Sequence, residues 1–353
     1  MRKVFAFLLG LIALVLVAGI VFATTVDIQK ISEQQALPEP VIEVIKKVQP
    51  KPAEPIRMIA VGDMMLGRFV ETLMNRHGEE YPFENISNLI DGQDIVFGNL
   101  EGPIATNHVQ TPDFTTNFSF DPTVANLLKE QGFSIVSLAN NHTLDKGEDV
   151  FLQTQKYLEE AGIAYFGNPR NESDMYRYAT NIKDRDLVFL GFNEAVNPFF
   201  NEQQALETVL TESDEVFLIV SMHWGTEYML ESNDFQKEFA HKLIENGADL
   251  VIGHHPHVTQ EVEVYENKMI FYSLGNFIFD QYFSVDVEQG LTFEMTLDKN
   301  LATFKLIPIQ SKRSQPEIMT GEARQKWLDG LASRVEDPAL AEEVKAGLIK
   351  LNY

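Results

Sequence analysis

From Arg57 onward, short apolar runs alternate with helix-like stretches of roughly ten to sixteen residues. Few architectures accommodate that alternation, and the pattern is that of an α/β protein whose parallel strands are joined by helical crossovers. The spacing predicts strands at Met58–Val61, Ile95–Phe97, Ser134–Leu138, Leu187–Phe192, Val216–Met222 and Leu250–Ile252, with helices at Pro122–Gln131, Gly147–Ala161 and Asp234–Asn246. Beyond Val258 the apolar runs lie closer together, at Val262–Tyr265, Met269–Ser273, Leu291–Leu297 and Ala302–Ile309. These read as hairpins, with Glu266-Asn267 as one tight turn. Residues 57–312 therefore form one α/β domain, and 313–353 read as a helical C-terminal tail interrupted at Pro338.

The other boundary is set by the N-terminus. Val4 to Ala23 is an uncharged apolar run preceded by Arg2 and Lys3, long enough to span a bilayer as a helix, with the basic flank on the cytoplasmic side. Residues 1–23 are read as a signal-anchor or, because Val21-Phe22-Ala23 resembles a cleavage site, a removed signal peptide. The expected location is the cell membrane, single-pass through residues 4–23, with the main domain extracellular; cleavage would make the protein secreted. Residues 24–56, punctuated by Pro38, Pro40, Pro50, Pro52 and Pro55, read as an extended linker. The absence of cysteine excludes disulfide staples and thiolate metal ligands. A formal charge of −24, carried mostly by the central region, argues against a nucleic-acid partner.

In open α/β sheets, ligands bind beyond the carboxyl ends of the strands, and here the residues just past five predicted strands are polar. They are Gly62-Asp63, Gly98-Asn99-Leu100-Glu101, Ala139-Asn140-Asn141-His142, His223-Trp224-Gly225-Thr226-Glu227-Tyr228 and Gly253-His254-His255-Pro256-His257. One such terminus would be a helix cap or turn. Five together supply the oxygen and imidazole groups that a divalent cation requires from different strands.

His255-Pro256-His257 is the sharpest local signal. In an extended segment, which proline favours in the residue before it, residues two apart face the same side, so His255 and His257 are expected to converge while His254 faces away as a structural group or one that supports the ligands. Asn141-His142 suggests an amide ligand beside an imidazole that donates a proton or stabilises an anion, with Asp145 as the cap of the helix that follows. Glu227 and Asp280 are read either as general base or supporting carboxylate, or as purely structural groups. Asn276, in Tyr272-Ser273-Leu274-Gly275-Asn276-Phe277, is placed to orient a histidine or contact substrate. Ser273 lacks the glycine two residues upstream that a nucleophile elbow needs.

Together with Gly62-Asp63-Met64-Met65-Leu66-Gly67-Arg68, these motifs resemble the CapA-type poly-γ-glutamate capsule biosynthesis family, related to calcineurin-like metallophosphoesterases, over about Ile56 to Ile309. The resemblance implies a two-sheet α/β/β/α sandwich. It also implies Asp63, Glu101, Asn141, His223, His255 and His257 as metal ligands, with His142 beside the substrate; the residues themselves add Glu227 to His142 as a candidate catalytic group, and Asn140, Asn276 and Asp280 as candidate substrate or supporting contacts. The cofactor implied is a divalent ion such as Mn, Fe or Zn. Two positions depart from the phosphoesterase pattern: Met65 stands where a histidine ligand is expected, and Glu101 where a bridging aspartate is usual.

Three functions follow as expectations. The first is an exported component of capsule synthesis or export, handling an anionic polymer beside membrane-embedded capsule synthesis partners. The second is an extracellular metal-dependent hydrolase of a phosphoester or related bond in the cell envelope. The third is a polymer-binding scaffold without catalysis.

Overall fold

A computed structural model of the chain describes residues 54–170, 176–212 and 215–353. The membrane segment and most of the linker read from the sequence lie outside them, and among the described residues no helix is long and apolar enough to cross a membrane. In chain order the strands are β1 (Ile56–Met64), β2 (Ile95–Leu100), β3 (Ile135–Ser137) and β4 (Ala164–Phe166), then β5 (Arg177–Ile182), β6 (Arg185–Asn193), β7 (Phe217–His223), β8 (Leu250–His254), β9 (Val262–Tyr265) and β10 (Lys268–Phe271). They continue with β11 (Asn276–Ile278), β12 (Gln289–Asp298), β13 (Leu301–Lys312), β14 (Gln315–Ile318) and β15 (Leu348–Asn352). The α-helices are α1 (Arg68–His77), α2 (Ser87–Ile90), α3 (Thr123–Glu130), α4 (Glu148–Ala161), α5 (Glu202–Glu212), α6 (Asp234–Glu245), α7 (Gly321–Ala332) and α8 (Pro338–Ala346).

The strands form two sheets. The nine-stranded sheet runs β14-β13-β12-β1-β2-β3-β4, with β11 beside β1 and β15 beside β13; the six-stranded sheet runs β5-β6-β7-β8-β10-β9. Parallel pairing joins β1 through β4 in one and β6, β7, β8 and β10 in the other, while the expected hairpins appear at β9–β10 and β12–β13. The Glu266-Asn267 turn has both residues at positive φ, +47° and +60°, the twist a two-residue hairpin demands.

Three apolar layers define the stack. One lies between the sheets, where Met58, Phe97 and Phe293 meet Phe189, Ile219 and Ile252. A second joins the outer face of the nine-stranded sheet to α1, α3 and α4 through residues such as Val96, Val70, Leu128 and Leu158; a third joins the six-stranded sheet to α5 and α6 through Leu218, Val209 and Phe239. The result is α/β/β/α, as expected. Helix α6 begins on a reciprocal cap, Asn233 accepting from Gln236 N–H while the Gln236 side chain accepts from Asn233 N–H.

The tail differs from its reading. Residues 313–353 are two helices flanked by strands β14 and β15, and Leu328, Leu331, Val344 and Ile349 are buried in the inter-sheet core. The tail is therefore part of the domain. Short strands that pair only at a sheet edge carry too little alternation to stand out beside the helical period around them.

Candidate metal centre

Strand register lines up the site. In the nine-stranded sheet Asp63 lies opposite Asn99 on one side and Asn276 on the other; in the six-stranded sheet His223 lies opposite Asn193 and His254. Two polar rows thus end the parallel strands of both sheets, and the loops beyond carry Glu101, Asn141, His255 and His257. Close backbone approach fixes this edge: a Cβ on Gly62 would stand 1.9 Å from Gly275 O, and one on Gly253 would stand 1.9 Å from Tyr272 O.

Asp63 is the hub. Fully buried, its Oδ1 accepts from Asn99 Nδ2 at 2.9 Å and faces His254 Nδ1 at 3.1 Å, while Oδ2 accepts from His255 N–H at 3.2 Å and lies 3.4 Å from His257 Nδ1. Burial would raise its pKa, but the bonds to His254 and His257 outweigh burial and hold it well below the usual carboxylate range. For Glu101, equally buried, burial outweighs the opposing charges of His257 and Arg68 and drives its carboxyl well above the usual range.

The imidazoles divide. Burial keeps His223 neutral well below its ordinary pKa and, with His257 adding to it, lowers His255 to about 3. Burial acts in the same direction on His257, but there Glu101 and Asp63 prevail and raise it to about 9. Neutral His223 and His255, with ring centroids 4.8 Å apart, are in the form that ligates metal. Asn141 Oδ1 lies 2.8 Å from His223 Nε2, and Asn276 Oδ1 lies 3.0 Å from His257 Nδ1. Ligand atoms of Asp63, Glu101 and His257 fall within 4.8 Å of one another, as do those of Glu227, His255 and His257.

The donor set passes a test that does not depend on any bound ion. Glu101 Oε1, His255 Nδ1 and His254 Nε2 are buried without a hydrogen-bond partner. Such orphans are costly unless something satisfies them, and a carboxylate oxygen beside imidazole nitrogens is satisfied by a divalent cation. Backbone strain gathers at the same place, with Arg68, Tyr228, His255 and His257 all at positive φ between +48° and +98°.

That strain corrects one expectation. His255-Pro256-His257 is not extended: the chain turns through left-handed geometry at both histidines, and their rings stand 6.0 Å apart. His254 consequently does not face away but bonds Asp63. Asp145 is not a helix cap either, since Gly147 occupies the cap of α4. It takes Phe118 N–H and holds His142 Nδ1 at 2.8 Å, leaving Nε2 of His142 3.9 Å from Glu101 Oε1. Asp280 pairs with Arg68 and accepts Phe69 N–H at 3.1 Å, so its carboxylate is engaged in seating α1. Glu227 is exposed at the rim, and Asn140 ties the loop together by donating to Asn99 Oδ1 and Leu100 O. Met65 belongs to the apolar layer under α1, with its sulfur accepting Gly67 N–H at 3.2 Å.

Sequence reasoning missed Asn99, Asp145 and Arg68 as site residues, and read His254 as a structural or supporting group without identifying Asp63 as its partner. All four lie inside or beside the motifs quoted above, and only the long-range pairing of strands shows what they touch. Arg68 sits under the rings of Phe118, at 4.7 Å, and Phe279, at 5.5 Å, while Phe118 stacks on His142 at 4.0 Å.

Comparison with known proteins bears on the same residues. The profile of the bacterial capsule synthesis protein family PGA_cap matches residues 57–281. The chain belongs to that family. It is 30% identical over 299 residues to a capsule biosynthesis protein CapA of Bacillus anthracis, covering 79% of this chain and 73% of that one. It is 28% identical over 312 residues to a PGA biosynthesis protein CapA of Bacillus subtilis strain 168, covering 80% and 81%. Among solved structures, a novel phosphatase from Mycoplasma pneumoniae aligns with TM-score 0.45 and 12% identity over 76% of this chain and 92% of that chain. The family match spans every candidate ligand from Asp63 to His257 and ends at Gln281.

Proposed function

We propose that this PGA_cap family member is an exported, membrane-anchored component of poly-γ-glutamate capsule synthesis or export, working through a divalent metal centre of the metallophosphoesterase type. The observation that carries the reading is the family match, together with two relatives named for capsule and PGA biosynthesis. Supporting it, the apolar run Val4–Ala23 would anchor the chain, and the buried orphans Glu101 Oε1 and His255 Nδ1 mark where the cation would sit. In this reading Asp63, Glu101, Asn141, His223, His255 and His257 hold the ion, which is Mn, Fe or Zn and supplies Lewis-acid polarisation of a substrate oxygen when bound. The chain's own residues position and exclude: Asn276 fixes the His257 ring, Asn99 and His254 fix Asp63, and Arg68 with Phe118 closes one wall. The decisive experiment deletes the protein and measures surface polymer; unchanged capsule refutes the proposal, and failure of a His255→Ala, His257→Ala form to restore it ties the function to the centre.

A specific observation favours a second reading, hydrolysis of a phosphoester or related envelope bond. Asp145 holds His142 Nδ1 and so aims Nε2 toward the carboxylate of Glu101, placed to pass a proton to or from a bound substrate. Asp145→Asn should then lower turnover of a model phosphodiester by about tenfold to a hundredfold with metal content unchanged, as for other groups that orient a functional histidine. A parent-like rate in the variant, or no cleavage by the metal-loaded parent, removes this reading.

A further inference from the structure

Beside the metal centre, and separated from it by the loop of residues 281–287, lies an open cleft of about 630 Å³. Its walls are that loop, the β12–β14 ribbon and helix α7. Three cations line it, Lys312, Lys326 and Arg334, against two carboxylates, Asp286 and Glu317. Glu317 is taken up by Lys312 at 3.4 Å. What remains among the lining residues is Arg334 and Lys326 facing Asp286, with Glu261 and Glu231 acting on Arg334 from outside the lining.

Arg334 is built into place. Its Nη2 donates to Thr259 O at 3.1 Å and its Nη1 to Gly330 O at 3.3 Å, while Nε is buried with no hydrogen-bond partner. Among the described residues no carboxylate reaches ion-pair distance of it, and Glu261, Asp286 and Glu231 act on it only from further away. A guanidinium fixed by two carbonyls is pre-organised for an incoming carboxylate at the Nη hydrogens those bonds leave unused. Trp327 and Met319 add an apolar floor suited to methylene groups.

The cleft and the centre share a structural partition. Asn276 Oδ1 accepts from His257 Nδ1 on one side, and its Nδ2 donates to Val287 O and Gln281 Oε1 on the other. Over that partition runs an apolar ridge: Tyr228 lies 6.1 Å from the His257 ring and 5.1 Å from Phe283, which is 66% exposed, with Val285 56% exposed at the cleft's edge. A small dicarboxylate would use the cleft alone, whereas a chain of acidic units would occupy cleft, ridge and centre in succession.

We propose that this cleft binds an acidic polyamide, seating the carboxylates of one stretch on Arg334 and Lys326 while an adjoining stretch crosses the Tyr228–Phe283 ridge to the metal centre. The inference rests on the polymer reading of the function, and its test separates the two. The chain has two tryptophans, and only Trp327 lines the cleft; Trp224 is buried in the core. Full-length protein stripped with chelator is titrated with poly-γ-glutamate of defined length, with free glutamate and with polyphosphate, following tryptophan fluorescence and, separately, co-sedimentation. The expected result is a fluorescence change with poly-γ-glutamate that survives chelation, is absent in Trp327→Phe although co-sedimentation persists, and needs about tenfold more polymer in Lys326→Glu, whose metal content equals the parent's. A change that persists in Trp327→Phe, equal affinity for polyphosphate, or parent-like affinity in Lys326→Glu overturns the cleft assignment. Loss of capsule on deletion alongside any of those results leaves the functional proposal standing and removes only the cleft.

Discussion

Replacing Asp63 by asparagine changes one oxygen to an amide nitrogen, and the site has no tolerant orientation for it. Oδ1 faces the Asn99 amide and His254 Nδ1, and Oδ2 faces His255 N–H and His257 Nδ1. Whichever side receives the new NH₂ group, a buried donor meets a donor, and one such unmade bond costs about 1–3 kcal/mol. His257 also loses the carboxylate that helps raise its pKa. We expect Asp63→Asn to unfold with about 2 kcal/mol less stability in chelator, equivalent to a fall of about 4 °C in Tm for a domain of this size. Metal affinity should fall at least a hundredfold, since about that much can be lost even when a supporting partner is removed rather than a ligand. Denaturant titration of the metal-free forms and metal analysis after dialysis against Mn, Fe or Zn measure the two effects separately. A variant with parent-like stability and parent-like metal content would refute the placing of Asp63 at the hub, and one that is destabilised but fully loaded would make it a structural group only.

Other expectations are simpler. Gly253→Ala should cost about 3 kcal/mol or more, because its Cβ would stand 1.9 Å from Tyr272 O and 2.6 Å from Trp224 Nε1; soluble variant with an unchanged unfolding midpoint would contradict that packing. Met65→His should not add a metal: the side chain belongs to the apolar layer under α1, so the variant should lose about 2 kcal/mol on burying the ring's polar atoms, and a gain in bound metal would refute this. Burial holds the Glu194 carboxyl above its usual range, opposed only by the Gly225 N–H bond. Its favourable contribution is therefore full below the unfolded carboxyl pKa of about 4.3 and is lost as pH rises through the raised folded value. Glu194→Gln retains an acceptor for Gly225, so its stability relative to the parent should improve from pH 4 to pH 7 by less than about 1 kcal/mol, and a difference that stays constant across that range would count against the assignment.

Much of the fold was legible because long strands advertise themselves. The apolar runs at Ile95, Leu187, Val216 and Leu250 carry enough β-branched and aromatic residues to be placed within a few positions of the observed strands. The three-residue strands Ala164–Phe166 and Asn276–Ile278 were not legible, since so short a segment is a strand only by virtue of its partner. For the site, residue types at strand ends were informative and side-chain directions were not. Extended geometry turns His254 outward, and the left-handed φ of +98° at His255 breaks that geometry. Asp145 reads as a cap because a helix follows it in sequence; its partners, His142 and Phe118, are set by tertiary packing.

The distance along the chain between Asp63 and the histidines that surround it, 191 residues to His254, has a consequence for how the protein comes into being. Joining such remote positions demands that both sheets already be in register, because long loops close late and local contacts cannot substitute for them. A cation cannot nucleate this domain as it does a zinc finger. Any fragment ending before His254 lacks His255 and His257, two of the three imidazoles proposed to hold the ion, and an emerging chain offers metal no more than scattered single ligands. The centre is in effect a receipt for completed folding: acquisition of tight metal binding should be the last kinetic event, and a chain that binds it has already assembled everything else.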